Sequence, residues 1–429
     1  MTTESSEVLD MYDSSSASST SNIDSVATVL NIDLTGDIIN NYNVIIELGR
    51  GSYSIVWLVY SIKDNNFYAM KVQNPEDYNE GKDEIAILKK IPSNEKYINK
   101  LVDYFVEIRY EDEVELKFMC SVYSLCCCNL DSMIRKGNYM DGFPLSIVKN
   151  ILKQICSGLL TIHKKLNGFH GDIKPDNILL CGINDRDKKY IELYTASNYK
   201  SMYNEAKIKY MKENNIKKIA IEYKLRIRKT IHKQITDNFP PIDISPYIFN
   251  DTLITNPFIK ITDFGFYCHN EEMFNESFGT CYYMAPEIIL KADCTNMVDI
   301  WALGCMLYEL VTGCILFDSD EYEDEDGSTT SYHLELITNI CGKFNSKHLK
   351  YLNEKDTFKK YFDTKGNILK RHNMEEVDNI KDINKLHLLL KENNIDDILL
   401  ADLLEKMLRL NPLKRASVKD ILNHNWLKK

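Results

Sequence analysis

Apolar and polar positions alternate with a period of two from Tyr42 through Val44 and Ile46, as in a strand with one buried face. Gly49-Arg50-Gly51-Ser52 interrupts the alternation. Apolar runs at 57–60 and 67–72, separated by the polar turn Lys63-Asp64-Asn65-Asn66, predict two further antiparallel strands. The period then lengthens. Residues 79–90 read as a helix packing through Ile85 and Leu88, 118–123 as a buried strand, and 299–311 as a hydrophobic helix. Residues 146–164 form a long helix, with Val148, Ile151, Leu152, Ile155, Leu159 and Ile162 at helical spacing.

Two stretches break the pattern. Residues 1–37 are rich in Ser, Thr, Asp and Glu, cannot bury enough apolar surface to order themselves, and read as a disordered tail. An insert at about 181–256 is dense in Lys and Arg over 207–233 and is punctuated by Pro240-Pro241 and Asn256-Pro257. It reads as helical or partly disordered. A solvated spacer is favoured over a localisation or anchoring element.

Composition narrows the class. The 429 residues are 44% hydrophobic and 27% charged, ample for two packed lobes. A net charge of −11 argues against a nucleic-acid-binding chain and favours basic partners. Twelve cysteines without CxxC pairs, three of them adjacent at 126–128, suit neither a disulfide framework nor a zinc site. They point to a reducing, intracellular setting, cytoplasmic or nuclear. No signal peptide or membrane-spanning run is read from the sequence.

The chemistry concentrates in His170-Gly171-Asp172-Ile173-Lys174-Pro175-Asp176-Asn177. Asp172 can take a proton from a hydroxyl, Lys174 can steady a transferring phosphoryl group, and Asn177 can offer its carbonyl oxygen to Mg²⁺. The bland alternative is a surface turn punctuated by Pro175 and Asn177. Gly49-x-Gly51 between strands lets backbone N–H groups approach phosphates, although many hairpins carry two glycines for geometry alone. A lysine in a buried strand, Lys71, needs a partner. Glu84 is the expected one, with Asp83 or Glu80 as substitutes. Asp263-Phe264-Gly265 follows 91 residues after Asp172, where a hairpin would need roughly 20.

In this order the glycine loop, Lys71, Glu84, the Asp172 loop, Asp263-Phe264-Gly265, Thr280, Ala285-Pro286-Glu287, Asp299 and Arg415 resemble the signature set of eukaryotic-type serine/threonine protein kinases, over about residues 38–429. The resemblance implies an α+β bilobal kinase fold: a small antiparallel β-sheet lobe with one helix at 38–124 and a larger, mainly helical lobe at 125–429. It implies ATP against Leu48, Gly49, Gly51, Ser52, Val56, Ala69, Lys71, Glu84, Ser124 and Cys126, with Tyr123 as gatekeeper. It further implies Mg²⁺ on Asn177 and Asp263, and Asp172 and Lys174 as catalytic residues. Arg415 is expected to pair with Glu287, and Asp299 to hold the catalytic loop from below.

The chain is most similar to the SR-protein kinases, which phosphorylate Arg/Ser-rich proteins. The resemblance rests on Gly51-Ser52-Tyr53-Ser54-Ile55-Val56-Trp57-Leu58, a small residue before Asp172, the insert, and the acidic run 318–326 after Leu316-Phe317. The stretch 359–366 is also similar. Basic protein substrates follow, with no direct nucleic-acid or membrane partner and a monomeric state. Gly279-Thr280-Cys281-Tyr282-Tyr283-Met284 departs from that family and looks like a generic serine/threonine kinase. Gly171 removes the usual arginine partner of a phosphorylated activation loop, whose main acceptors are Ser277 and Thr280. The abundance of Asn, Ile, Lys and Tyr suits an AT-rich genome, such as a protist or a giant virus, where host cell or virion would be the location. The competing class is a pseudokinase scaffold holding basic partners in an acidic groove. Every catalytic position being filled argues against it, and the peptide platform at 280–287 disfavours a small-molecule kinase.

Overall fold

The computed structural model describes residues 33–111, 114–239, 254–270, 278–320, 329–344, 355–369 and 385–428. The alternating segments form a six-stranded antiparallel sheet in the order β1-β2-β3-β4-β6-β5. Its members are β1 (Ile38–Ile39), β2 (Tyr42–Arg50), β3 (Ser54–Ser61), β4 (Asn66–Gln73), β5 (Leu101–Glu111) and β6 (Val114–Tyr123). Helix α1 (Tyr78–Leu88) buries Gly81, Glu84, Ile85 and Leu88, one face at helical spacing, and packs on β6. At Gly81 a Cβ would meet the end of the Gln73 side chain, which lies against the helix there.

The second lobe opens with α2 (Leu130–Arg135) and is built around α3 (Leu145–Lys164) and the helix Met297–Thr312, in which every residue from Val298 to Thr312 is buried. Gly313, at φ +76°, ends that helix where a Cβ would run into the Met140 carbonyl. Trp301 stacks on Phe317 at 5.6 Å within the same core. By length and hydropathy α3 would pass as a membrane span, contrary to the expectation that no run reaches that threshold. Its packing explains the composition: more than half of the helix is enclosed by the protein.

Between the catalytic elements lies a small sheet, β10-β9-β7, made of β7 (Cys126–Asn129), β9 (Ile178–Cys181) and β10 (Ile259–Ile261), and beside it the pair β8 (Gly168–Phe169) and β11 (Cys268–His269).

The insert departs from the expected solvated spacer. It folds as α4 (Asp185–Ala196), α5 (Tyr199–Glu213) and α6 (Ile221–Thr236). Tyr190 and Tyr194 of α4 and Ile231 and Ile235 of α6 form one buried cluster with Ile45, Ile46 and Leu58 of β2 and β3. Tyr194 accepts a hydrogen bond from Asn43 at 2.6 Å, and buried His232 contacts the Val44 carbonyl at 2.5 Å. The physical reason is the spacing of Ile227, Ile231 and Ile235, an apolar line along a helix otherwise dominated by its charges. Helix α5 buries no residue fully, but its Tyr199, Met202, Tyr203 and Ala206 pack against the same cluster.

The folded unit reaches back to Leu34 rather than beginning at residue 38. Leu34 is buried, and Asp37 pairs with Arg109 and Lys229 at 2.8 and 3.0 Å. The tail's remaining residues, 1–32, lie outside the described residues.

Candidate active site

The β-sheet register sets Lys71 between Val56 on β3 and Ser121 on β6, its ammonium inside the lobe. It pairs with Glu84 and with Asp263, each at 2.9 Å. Glu80 and Asp83 are exposed, which excludes both as the partner. Burial works against the Lys71 charge, but the two carboxylates outweigh it and hold the ammonium pKa well above the ordinary value. Lys71 in turn holds Asp263 below the carboxylate range, against burial. The second oxygen of Glu84 accepts the Phe264 backbone N–H at 3.1 Å, so one carboxylate fixes both the lysine and the Asp263-Phe264-Gly265 turn. Asp263 adopts a left-handed backbone, φ +64°.

The catalytic loop hangs from a buried anchor. Asp299 accepts the His170 and Gly171 backbone N–H groups at 2.9 and 3.0 Å and contacts His163 Nε2 at 2.8 Å. Burial raises the Asp299 pKa, but the His163 hydrogen bond leads the effects that bring it below the usual value. His170 Nε2 lies 3.0 Å from the Thr262 carbonyl, which can only accept, and Nδ1 then accepts the Asp172 N–H at 3.2 Å. Gly171 sits at φ +82°, and a Cβ there would lie 2.5 Å from the Phe266 carbonyl. The residue before Asp172 is thus small for a steric reason.

At the tip, Asp172 Oδ1 accepts the Thr280 N–H and hydroxyl at 2.9 and 2.8 Å. Lys174 reaches Asp172 Oδ2 at 2.9 Å and the Thr280 hydroxyl at 2.6 Å. The Asn177 amide nitrogen donates to the Asp172 carbonyl and carboxylate at 2.8 and 3.0 Å. Its carbonyl oxygen is therefore the group left to meet a cation, and with the Asp263 carboxylate it makes an all-oxygen donor set suited to Mg²⁺.

Above the loop, Gly49 and Gly51 are exposed, and a Cβ at either would meet no crowding. Packing does not require these glycines; their value is open access to the turn. Ser52 is exposed at the same turn, and Leu48, Val56 and Ala69 remain half-buried in the sheet. Tyr123 ends β6, Ser124-Leu125 crosses to the second lobe, and Cys126 opens β7.

Arg415 and Glu287 form the expected pair, bidentate at 2.5 and 2.6 Å and fully buried, with Arg415 also donating to the Met297 carbonyl. A second buried knot was not expected. Glu309 accepts from Tyr283 at 2.5 Å and from Arg135, tying the 280–287 segment to the helix Met297–Thr312. Burial raises its pKa to about 7, against the Tyr283 hydrogen bond and the Arg135 charge. A glutamate deep in a helix whose other charged residue is Asp299 was the available signal. Of the acidic run, Asp320 accepts from the Tyr282 hydroxyl; residues 321–326 lie outside the described residues, as does Ser277.

A model of the protein kinase domain matches residues 42–206 and 243–427. An Acanthamoeba polyphaga mimivirus protein bearing a serine/threonine-protein kinase name is 26% identical, over 90% of this chain and 87% of the relative. The serine/threonine-protein kinase SRPK of Physarum polycephalum is 28% identical, over 90% and 86%. A crystal structure of a kinase domain shares the fold at TM-score 0.61 and 23% identity, over 93% of this chain and 99% of that one.

Proposed function

The chain belongs to the protein kinase domain family and is an ATP-dependent protein serine/threonine kinase; from that premise we propose that it phosphorylates basic, Arg/Ser-rich proteins. The observation that carries the enzymatic reading is the Asp172, Lys174 and Thr280 cluster facing the Lys71, Glu84 and Asp263 relay. Support for the substrate class is similarity to an SRPK together with seven carboxylates in the nine residues 318–326.

In this reading Asp172 orients a Ser or Thr hydroxyl and accepts its proton as the phosphoryl group transfers. Lys174 and Lys71 offset charge on phosphoryl oxygens, and Glu84 keeps Lys71 in place. Leu48, Val56 and Ala69 give the base apolar walls, the Gly49–Ser52 turn covers the phosphates, and Ser124 and Cys126 offer backbone hydrogen bonds. Asn177 and Asp263 would hold Mg²⁺, which neutralises phosphate charge when bound. Activity is independent of activation-loop phosphorylation, since Gly171 offers a phosphate no cation. We assign residues 38–124, extended back to Leu34, and 125–429 to the two lobes, with the insert of 181–256 belonging to the second in sequence. All twelve cysteines are free thiols, which suits a cytoplasmic or nuclear setting.

The test compares an Arg-Ser repeat, a Lys-rich and an acidic peptide, with ATP and Mg²⁺, at low and high salt. The expected result is transfer to the Arg-Ser repeat with kcat/KM falling as salt rises. Equal use of all three peptides refutes the substrate class, and no turnover on any refutes the assignment of the catalytic residues.

A further inference from the structure

Two thiols face each other across the β7–β9 pair. The antiparallel register sets Cys126, the residue expected to meet the base of ATP, directly opposite Cys181 at the end of β9. Opposed residues in such a pair have Cα atoms about 4.5–5.5 Å apart, inside the range of about 4.4–6.8 Å that a disulfide spans. Both thiols are free, and neither is fully buried. We propose that Cys126 and Cys181 form a peroxide-driven, thiol-reversible disulfide that ties the interlobe connection to β9 and weakens ATP binding. The effect on ATP rests on the nucleotide-site reading above; the bond itself does not.

The adjacent Cys126 thiol holds the Cys181 thiol below the ordinary cysteine value; burial opposes this and the Lys260 ammonium on β10 adds to it. Cys126 is pushed the other way, first by Cys181 and then by burial. Cys181 serves as the attacking thiolate and Cys126 as the resolving thiol; the reverse order gives the same disulfide. The Cys181 thiolate attacks a hydroperoxide oxygen; the O–O bond breaks and the leaving oxygen departs as hydroxide, or alkoxide from an organic peroxide. Cys181 is left as the sulfenic acid. The Cys126 sulfur, losing its proton, then attacks the Cys181 sulfur, the S–O bond breaks, and water leaves. Overall two thiols lose two electrons and two protons, and hydrogen peroxide becomes two waters.

Neither neighbouring cysteine faces a second thiol across the strands. Cys128 is opposite Leu180, and Cys127 is buried. Burial pushes the Cys120 and Cys341 thiols up to about 12. The Cys126 thiol now rests on the Ser124 carbonyl at 3.9 Å, so drawing its sulfur to Cys181 disturbs both residues expected to meet the base.

The experiment treats the full-length chain with hydrogen peroxide, blocks remaining thiols, maps disulfides by non-reducing peptide mass spectrometry, and measures KM for ATP before oxidation, after it, and after dithiothreitol. The expected result is a 126–181 cross-linked peptide with KM for ATP raised roughly fivefold, the size of one lost hydrogen bond, and restored by reductant. Cys181→Ser keeps its ATP KM through the same treatment. Absence of the cross-link when other thiols oxidise, or an equal loss of ATP affinity in Cys181→Ser, overturns the proposal. A cross-link that leaves KM unchanged refutes the coupling to ATP. A chain without ATP turnover before oxidation instead refutes the nucleotide-site reading, while the peptide map still decides whether the bond forms.

Discussion

Asp172 and Thr280 are joined twice, the carboxylate Oδ1 accepting both the backbone N–H at 2.9 Å and the hydroxyl at 2.8 Å. The carboxylate is thereby aimed by the segment that precedes the peptide platform. A threonine hydroxyl already sits where Asp172 and Lys174 both reach it, showing that the pair can bind an alcohol between acid and cation. Asp172→Asn keeps the size of the side chain and removes the proton acceptor, so kcat on a Ser peptide should fall about 10²–10⁴-fold with the fold retained. Thr280→Val should lower kcat about 10–100-fold, because the hydroxyl's bonds to the Asp172 carboxylate and the Lys174 ammonium are both lost, and Thr280→Ser should restore most of it. A kcat for Asp172→Asn within about threefold of wild type would remove it as the base.

The Lys71 relay separates nucleotide placement from metal binding. Asp263→Ala should abolish the Mg²⁺ dependence of nucleotide binding, while Lys71→Met should leave that dependence and abolish transfer. Fluorescent nucleotide titrations with and without Mg²⁺ distinguish the two. Dependence that survives unchanged in Asp263→Ala counts against the assignment of that carboxylate.

Much of this was legible because each motif carries its own local reason. Lys71 lies in an apolar strand and had to find an acid, and α1 presents Glu84 on its packing face. Asp299 was read as a support for the catalytic loop, and it accepts two of that loop's N–H groups. What stayed hidden depends on partners distant in sequence. Nothing local to Asn43 announces Tyr194, 151 residues away. The apolar line of α6 is masked by Lys224, Arg226, Arg228 and Lys229. Tyr283, Glu309 and Arg135 are unremarkable singly and form a unit only when three elements meet.

That unit makes stability depend on pH. Burial raises Glu309 from 4.5 to about 7. Below the lower value the carboxyl is protonated in both states; between the two, only the unfolded chain ionises fully. Stability therefore falls as pH rises through that window and levels off above about 7. Glu309→Gln stays neutral and escapes the fall. Its stability relative to wild type should improve by about 3 kcal/mol between pH 4.5 and 8, measured by urea unfolding. A constant difference across that range would mean that Arg135 keeps Glu309 ionised throughout.

The insert should act as part of the first lobe's packing. The Tyr194 ring lies 5.3 Å from Tyr60, 5.9 Å from Phe67 and 5.6 Å from His232, and its hydroxyl holds Asn43. Asn43 is buried, and its own carbonyl oxygen already lacks a partner in the described structure. Tyr194→Phe keeps the ring but strands the Asn43 amide as well, for a cost of about 1–2 kcal/mol. Tyr194→Ala also opens a cavity between α4, α6 and the sheet, for a cost of about 3–5 kcal/mol. Both losses should appear as faster hydrogen exchange in β2 and β3, the strands that carry the glycine turn. KM for ATP should rise in Tyr194→Ala while Mg²⁺ dependence stays intact, because Asp263 and Asn177 lie in the other lobe. If Tyr194→Ala unfolds within about 1 kcal/mol of wild type and β2 exchanges no faster, the insert contributes little to the sheet it covers.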